Sequence, residues 1–126
     1  MQIDHIALCV RELEAMRDFY IAHFGAVSGE LYHNPRTGLR TYFLTFDGGA
    51  RVELMQRPDA LPGGAELREG WAHLCFALGS REAVDAATEH LQNAGCTVES
   101  GPRVTGDGYY ESCVLDPEGN RVELMA

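Results

Sequence analysis

Two histidines and two glutamates recur in pairs along this chain of 126 residues. His73 follows His5 by 68 positions, and Glu123 follows Glu53 by 70 positions. Each glutamate is the central residue of the same pentamer, RVELM, which occurs twice. Two imidazoles and two carboxylates that converge offer the donor atoms of a divalent-metal site, and two waters could complete an octahedron. The spacing therefore predicts a duplicated unit that carries one metal centre.

The repeated pentamer occupies residues 51–55 and 121–125. A repeated core strand would explain its valine and leucine but leaves the glutamate between them without a role. Because side chains alternate along a strand, each glutamate faces away from the side on which the valine and leucine are buried. The same alternation in the strands that begin each half places His5 and His73 opposite the apolar side chains. All four polar side chains are thus predicted to point away from the core side of the sheet.

The first half of the chain must position His5 and Glu53 with a β-α-β-β-β unit. Its predicted elements are a strand at 3–10, a helix at 11–25, and strands at 27–33, 40–46 and 50–56. The helix is indicated by apolar side chains at three- and four-residue spacing, and Gly25 is a typical C-terminal residue of a helix. The sequence DGG at 47–49 predicts a hairpin turn between the last two strands.

The second half repeats this order of elements. Its predicted elements are a strand at 71–78, a helix at 80–95, and strands at 96–100, 108–116 and 120–126. Ser80 is the predicted N-cap, and the apolar side of the helix is predicted at Val84, Ala87, Leu91 and Ala94. The piece between the halves contains two prolines and a Gly-Gly pair, which is typical of a linker. The chain is therefore interpreted as one domain, 1–126, with modules at 1–56 and 70–126 and a linker at 57–69.

Composition narrows the functional classes. The formal net charge is -9, which disfavours nucleic acid as a partner because phosphate contacts need clustered cations. All ten basic residues are arginine, so chemistry that depends on a lysine, such as Schiff-base formation, is excluded. No stretch approaches the roughly 20 apolar residues of a membrane span, and the N-terminus lacks a basic signal-peptide region.

The four cysteines do not form a disulfide framework or a zinc motif. Cys9, Cys75, Cys96 and Cys113 include no C-x-x-C pair. We interpret them as reduced thiols of a cytoplasmic protein, because disulfides are rare in that compartment.

The sequences IDHIALCV at 3–10 and DPEGNRVEL at 116–124 resemble the vicinal oxygen chelate superfamily, which includes glyoxalase I, methylmalonyl-CoA epimerase, extradiol dioxygenases and bleomycin-binding proteins. The resemblance extends over essentially the whole chain. It implies an α+β fold in which two tandem βαβββ modules form a curved mixed sheet around a concave metal-binding pocket, with helices on the outer face.

The ligand set favours one branch of that superfamily. Short bacterial glyoxalase I proteins use histidine, glutamate, histidine and glutamate, and the matching positions here are His5, Glu53, His73 and Glu123. The epimerases typically carry glutamine at the second position, and extradiol dioxygenases would leave Glu53 without a role. The resemblance implies a lactoylglutathione lyase-like enzyme that acts on a 2-oxoaldehyde–thiol adduct through an enediolate, with Glu123 as the main base candidate and Glu53 as its partner.

The residues expected to bind the substrate differ from those of glyoxalase I. Glyoxalase I of this type has an arginine four residues after the first histidine, and this chain has Cys9 there. Arg57 or Arg103, the latter predicted to lie in a loop, would have to bind a glutathione carboxylate instead. Cys9 and Cys75 either line the pocket or act as small fillers of their strands. Two alternatives therefore remain open, namely a related metalloenzyme on another small oxygen-chelating substrate and a non-catalytic binding or bleomycin resistance-like protein.

The resemblance also implies one divalent metal per site and no organic cofactor. Nickel, cobalt and zinc are the leading candidates, and manganese and iron suit the same donors. The expected partners are a small-molecule substrate and a second copy of the chain in a homodimer, in which a site could take one His/Glu pair from each chain.

Overall fold

The computed structural model describes residues 1–63 and 69–126. The chain divides into two compact units, Met1–Gly63 and Gly64–Ala126. The predicted linker at 57–69 falls in part on residues 64–68, which lie outside the described residues. Neither helix within the described residues has the length and apolar character that a membrane crossing requires.

The first unit contains one helix and one mixed sheet. Its elements are β1 (His5–Cys9), α1 (Leu13–Phe24), β2 (Val27–Ser28), β3 (Tyr32–His33), β4 (Arg40–Thr45) and β5 (Arg51–Gln56). The strand order is β1-β5-β4-β2, and β3 also pairs with β4. β1 runs parallel to β5, whereas β4 is antiparallel to its neighbours. The first strand of the unit therefore lies beside its last, which brings the histidine strand next to the pentamer strand.

The prediction of one continuous strand at 27–33 is wrong. The structure has two strands of two residues each, β2 and β3, separated by Gly29, Glu30 and Leu31. A glycine inside a strand weakens it and often marks an irregularity. Here the Gly29 amide still donates a hydrogen bond of 2.8 Å to the carbonyl oxygen of Phe43, but the pairing does not continue through Leu31.

The second unit has the same plan. Its elements are β6 (Leu74–Ala77), α2 (Arg81–Asn93), β7 (Val98–Val104), β8 (Tyr110–Leu115) and β9 (Arg121–Met125). The strand order is β6-β9-β8-β7, with β6 parallel to β9 and the remaining pairs antiparallel. The predicted α+β class with two tandem modules is therefore confirmed, and each unit has a mixed sheet of its own.

The core of the first unit lies between α1 and the two central strands. The helix contacts β4 and β5, and its side chains Leu13, Met16 and Tyr20 are at most 1% exposed. Gly25 ends the helix with a φ of 64°, a left-handed conformation that glycine adopts without a steric penalty. The predicted C-terminal glycine and the three- and four-residue spacing of buried apolar side chains are confirmed, and Phe24, which continues that spacing, is partly buried.

The core of the second unit lies under α2, which contacts β7, β8 and β9. Val84 and Leu91 are buried as predicted, whereas Ala94 is exposed because it follows the last residue of the helix. Ser80 is confirmed as the N-cap, since its side chain accepts a hydrogen bond of 3.1 Å from the Ala83 amide.

A buried hydroxyl pair completes this core. The Thr88 hydroxyl donates to the Val84 carbonyl oxygen over 2.6 Å and lies 2.6 Å from the Ser112 hydroxyl. Because Thr88 has only one hydroxyl proton, Ser112 must donate to Thr88. Both polar groups are thereby satisfied, and the apolar spacing of the helix gave no indication of them.

Each unit contains a hairpin that ends in its pentamer strand, and the first of these is the one predicted at 47–49. β4 and β5 form an antiparallel pair around residues 47–49, and β8 and β9 form another around the DPEG sequence. In the second turn the buried Asp116 carboxylate accepts hydrogen bonds from the amides of Glu118 and Asn120 at 3.0 and 2.9 Å. These turns fix the register in which β5 and β9 present the pentamers.

Candidate functional site

The two pentamer strands show the predicted alternation. Val52 and Leu54 are at most 4% exposed, and Val122 and Leu124 are at most 1% exposed. The glutamate between each pair is only partly buried. Because neighbouring side chains on a strand point to opposite faces, each glutamate lies on the face of its sheet opposite the helix-packed core. The alternation in β1 and β6 is likewise confirmed by their burial patterns.

His5 and Glu53 lie close together in the first unit. The imidazole Nε2 is 3.8 Å from Oε2 of Glu53, a separation too long for a hydrogen bond. The parallel pairing sets Ala7 opposite Glu53, so the histidine approaches the glutamate diagonally from two residues earlier on β1. The rings of His5 and Phe43 are nearly perpendicular, at 88°, with 5.3 Å between their centroids, and Phe43 on β4 is also paired with Glu53.

The other nitrogen of His5 has a carboxylate partner. Nδ1 lies 2.9 Å from Oδ2 of Asp4, and Arg51 donates to the same oxygen over 2.5 Å. The hydrogen bonds from His5 and Arg51 hold the pKa of Asp4 below its usual value. The Arg51 guanidinium also stacks over the Phe43 ring at 4.5 Å, which is a favourable cation–π distance.

His73 and Glu123 form the corresponding pair in the second unit. Nε2 of His73 is 3.1 Å from Oε2 of Glu123, and the histidine stands immediately before β6. Glu123 is paired in register with Cys75 on β6 and with Cys113 on β8. A thiol therefore flanks the carboxylate on each neighbouring strand.

Both of these thiols are harder to ionise than usual. Desolvation, followed by the charges of Glu123 and Glu111, raises the pKa of Cys75. Desolvation and the nearby Glu99 raise the pKa of Cys113 to about 11. All four cysteines of the chain are free thiols. On this face of the second sheet, the thiols are protonated neighbours of the glutamate at neutral pH.

Two of the three predicted substrate-binding residues, Arg57 and Arg103, contact carboxylates of their own unit. Arg57 follows β5 and binds Asp59 with two hydrogen bonds, of 2.9 and 2.7 Å. The prediction that Arg103 lies in a loop is wrong, because it belongs to β7, where it is paired in register with Glu111 and contacts that carboxylate at 3.5 Å. Cys9 is exposed at the end of β1.

The donor chemistry of the two pairs fits a divalent metal. Each pair supplies an imidazole nitrogen and a carboxylate oxygen, the ligands that first-row divalent ions accept. Two donors about 2.1 Å from one ion, at ordinary coordination angles, lie about 3.0 to 3.4 Å apart. The separation of 3.1 Å in the second pair lies within this range, and that of 3.8 Å in the first pair is somewhat wider.

The structure brings the predicted ligands together in pairs. Across residues 1–63 and 69–126 there is no group of three or more histidine, cysteine, aspartate or glutamate side chains placed to hold a metal ion. The four-ligand set, His5, Glu53, His73 and Glu123, therefore stays a prediction.

Sequence reasoning missed the surroundings of His5. Asp4, Arg51 and Phe43 all contact one another or the imidazole. The available signal was the acid directly before the first histidine, which Ala72 replaces before the second. A carboxylate is one of the common partners of the second ring nitrogen of a histidine at metal sites.

Comparisons with known proteins agree with this architecture. A family model described as the Glyoxalase/Bleomycin resistance protein/Dioxygenase superfamily matches residues 2–124. The chain is 30% identical over 130 residues to the uncharacterized protein YqjT of Bacillus subtilis, covering 97% of this chain and 96% of YqjT. It is 32% identical over 128 residues to the uncharacterized protein PA2024 of Pseudomonas aeruginosa, covering 97% and 86%.

A solved structure shows the same fold at lower identity. The trypanothione-dependent glyoxalase I of Leishmania major matches with a TM-score of 0.79 and 16% identity, covering 99% of this chain and 86% of that one. At this identity the likeness concerns the fold alone. The family match over residues 2–124, by contrast, spans both units and all four repeated polar residues. The chain therefore belongs to the Glyoxalase/Bleomycin resistance protein/Dioxygenase superfamily.

Proposed function

We propose that the two His/Glu pairs together hold one divalent metal, and that the protein is a metal-dependent lyase of the glyoxalase I type. The observation that carries this proposal is the duplication of the pair itself. In each unit a histidine lies near the central glutamate of RVELM, at 3.8 Å for His5, the first residue of β1, and at 3.1 Å for His73, immediately before β6. A duplicated core strand alone would not require a histidine partner for each glutamate.

The reaction proposed is a proton shift on the adduct of a 2-oxoaldehyde with a thiol. His5, Glu53, His73 and Glu123 would hold the divalent ion, which would supply Lewis acidity for negative charge developing on substrate oxygens. Glu123 accepts the proton from the substrate carbon and returns it to the neighbouring carbon. Glu53 is its partner carboxylate, and His5 and His73 serve only as ligands.

The neighbours of Glu123 support its role as the base. A candidate base must be able to accept a proton at the working pH, and an ionised thiol beside it would compete for that proton. The pKa values of Cys75 and Cys113 are both raised, so these thiols stay protonated at neutral pH. Neither thiol is therefore available as a thiolate to take the substrate proton in place of Glu123.

A homodimer in a reducing compartment is also proposed. Leu61 and Trp71 are 89% and 91% exposed, which is apolar surface that a second copy could cover. Four free thiols suit the cytoplasm, where disulfides are rare. Light scattering on the metal-loaded protein tests the assembly, and a monomer with full metal occupancy would contradict it.

The test of the activity is the rate of S-lactoylglutathione formation from methylglyoxal and glutathione. The protein is stripped of metal and reconstituted in turn with nickel, cobalt and zinc, and the stripped protein is the control. We expect the rate to return with at least one of these metals. Absence of a rate with every metal, in protein shown to bind metal, would refute glyoxalase I activity and leave the metal site in place.

A second candidate function is supported by the residues predicted to bind the substrate. Cys9 occupies the position at which an arginine is expected for glutathione, and Arg57 and Arg103 both contact carboxylates of their own unit. A glutathione carboxylate would have to displace Asp59 or Glu111. This favours a related metalloenzyme on another small oxygen-chelating molecule, or a non-catalytic binding protein, and only the latter should keep its ligand affinity unchanged in chelator.

A further inference from the structure

The imidazole of His5 is held through the ring nitrogen that Glu53 does not approach. Nδ1 lies 2.9 Å from the Asp4 carboxylate, whereas Nε2 lies 3.8 Å from Glu53. A carboxylate can only accept a hydrogen bond, so this contact requires the ring proton on Nδ1. In the neutral imidazole, Nε2 then carries the lone pair, and it is the nitrogen nearer to Glu53.

The Asp4 carboxylate is itself fixed by the first pentamer. Arg51 donates to Oδ2 of Asp4 over 2.5 Å, and the Arg51 amide donates to the Asp4 carbonyl oxygen over 2.9 Å. The Arg51 guanidinium stacks on Phe43, whose ring makes a T-shaped contact with the His5 ring. Asp4, His5, Phe43 and Arg51 therefore form a closed set of contacts around the imidazole.

These contacts affect the orientation of the His5 imidazole more than the stability of the fold. The side chains of Asp4 and Arg51 are 65% and 40% exposed, and ion pairs at such exposure contribute little to the free energy of unfolding. The second unit has no carboxylate directly before its histidine, because Ala72 occupies the position that Asp4 has in the first unit. The carboxylate is thus a specific addition to one of the two histidines.

We propose that Asp4, held by Arg51, is a positioning residue that presents Nε2 of His5 to a divalent metal. The proposal rests on the proposed function only in taking His5 to be a ligand. A carboxylate bonded to the outer nitrogen of a ligating histidine fixes its tautomer and raises its basicity, and its loss typically lowers metal affinity by about 10- to 100-fold. Asp4→Ala should therefore weaken metal binding by a factor in that range.

The matched control is Asp18→Ala. Asp18 is 63% exposed, close to the 65% of Asp4, and it is likewise bound by an arginine, Arg17, at 2.6 Å. It carries the same charge and lies on α1, outside the contacts around His5. A change seen in Asp4→Ala but absent from Asp18→Ala cannot come from net charge.

The first measurement is made on metal-free protein. Nitrogen-15 NMR at mildly alkaline pH, where free imidazole is neutral, distinguishes the two histidine tautomers. We expect His5 to carry its proton on Nδ1 in the wild-type protein and in Asp18→Ala, and to lose this preference in Asp4→Ala. A wild-type His5 protonated on Nε2, or a tautomer unchanged by Asp4→Ala, would overturn the proposal whether or not the protein is an enzyme.

The second measurement is the affinity for cobalt by competition with a chelator. We expect Asp4→Ala to bind cobalt about 10- to 100-fold more weakly and Asp18→Ala to bind it as the wild type does. Equal affinity in all three proteins would overturn the proposal. Absence of cobalt binding by the wild type would refute the metal site instead, and the tautomer result would still judge the contact between Asp4 and His5.

Discussion

The two RVELM strands have the same register and different neighbours. In the first unit Glu53 is paired with Ala7 and Phe43, and in the second unit Glu123 is paired with Cys75 and Cys113. The valine and leucine of each pentamer are buried in both units. The core-facing half of the repeat is therefore the same, whereas the opposite face differs, because only the core side must match the shape of a packed helix.

The pentamer arginines differ in the same way. Arg51 binds Asp4 beside His5, whereas Arg121 binds Glu99 of β7 with two hydrogen bonds, of 2.6 and 2.7 Å. In the first unit the arginine supports the histidine, and in the second it holds a neighbouring strand. The comparison shows that the two His/Glu pairs recur in equivalent places and differ in their surroundings.

The largest expected effect separates the two glutamates. Glu123→Gln should lower turnover by about 10²- to 10⁴-fold, the usual contribution of a general base, in protein saturated with the activating metal. Glu89→Gln, which changes an exposed glutamate on α2, is the control and should keep wild-type turnover. Turnover of Glu123→Gln within twofold of the wild type would remove Glu123 as the base and point to Glu53.

The feature that the two pentamers share, a buried leucine, is tested by its contribution to the free energy of unfolding. Leu54 and Leu124 are at most 1% exposed, so Leu54→Ala and Leu124→Ala should each lower the free energy of unfolding by about 2–5 kcal/mol, measured by urea denaturation. Leu31→Ala is the control, because Leu31 is exposed. A large loss for one variant and none for the other would show that the two pentamers do not have equivalent core positions.

The smallest expected effect is on the reactivity of the thiols beside Glu123, which have no counterpart beside Glu53. Cys113 is 5% exposed and has a pKa of about 11, so it should be alkylated by iodoacetamide much later than the exposed Cys9. Only about one Cys113 side chain in 10⁴ is a thiolate at neutral pH, and this fraction rises as the pH approaches that pKa. Mass spectrometry of peptides over time measures the order, and equal rates at neutral pH would contradict it.

The sequence predicted both helices, most of the strands and the face of each repeated residue, because these follow from periodicity. Alternation in β5 and β9 identified the buried valines and leucines and left Glu53 and Glu123 on the other side. Helix ends at Ser80 and Gly25 followed from local capping rules. Each of these predictions depends only on neighbours close in the chain.

What the sequence did not predict depends on contacts between distant residues. Asp4 stands before β1 begins, so strand alternation cannot place its carboxylate, and its partner Arg51 lies 47 positions away. The hydroxyl contact between Thr88 and Ser112 spans 24 positions and lies among apolar side chains. Arg103, predicted to lie in a loop, follows a glycine and a proline, yet pairing with β8 keeps it in β7.

The central claim is that both His/Glu pairs serve one metal centre, and the most direct test is a cobalt titration of the wild type, His5→Ala and His73→Ala. The wild type should bind one ion per four-ligand site, and each variant should lose most of its affinity because each removes a ligand of the same ion. Binding of two ions per chain, or wild-type affinity in either variant, would contradict a shared centre and leave two separate surface pairs.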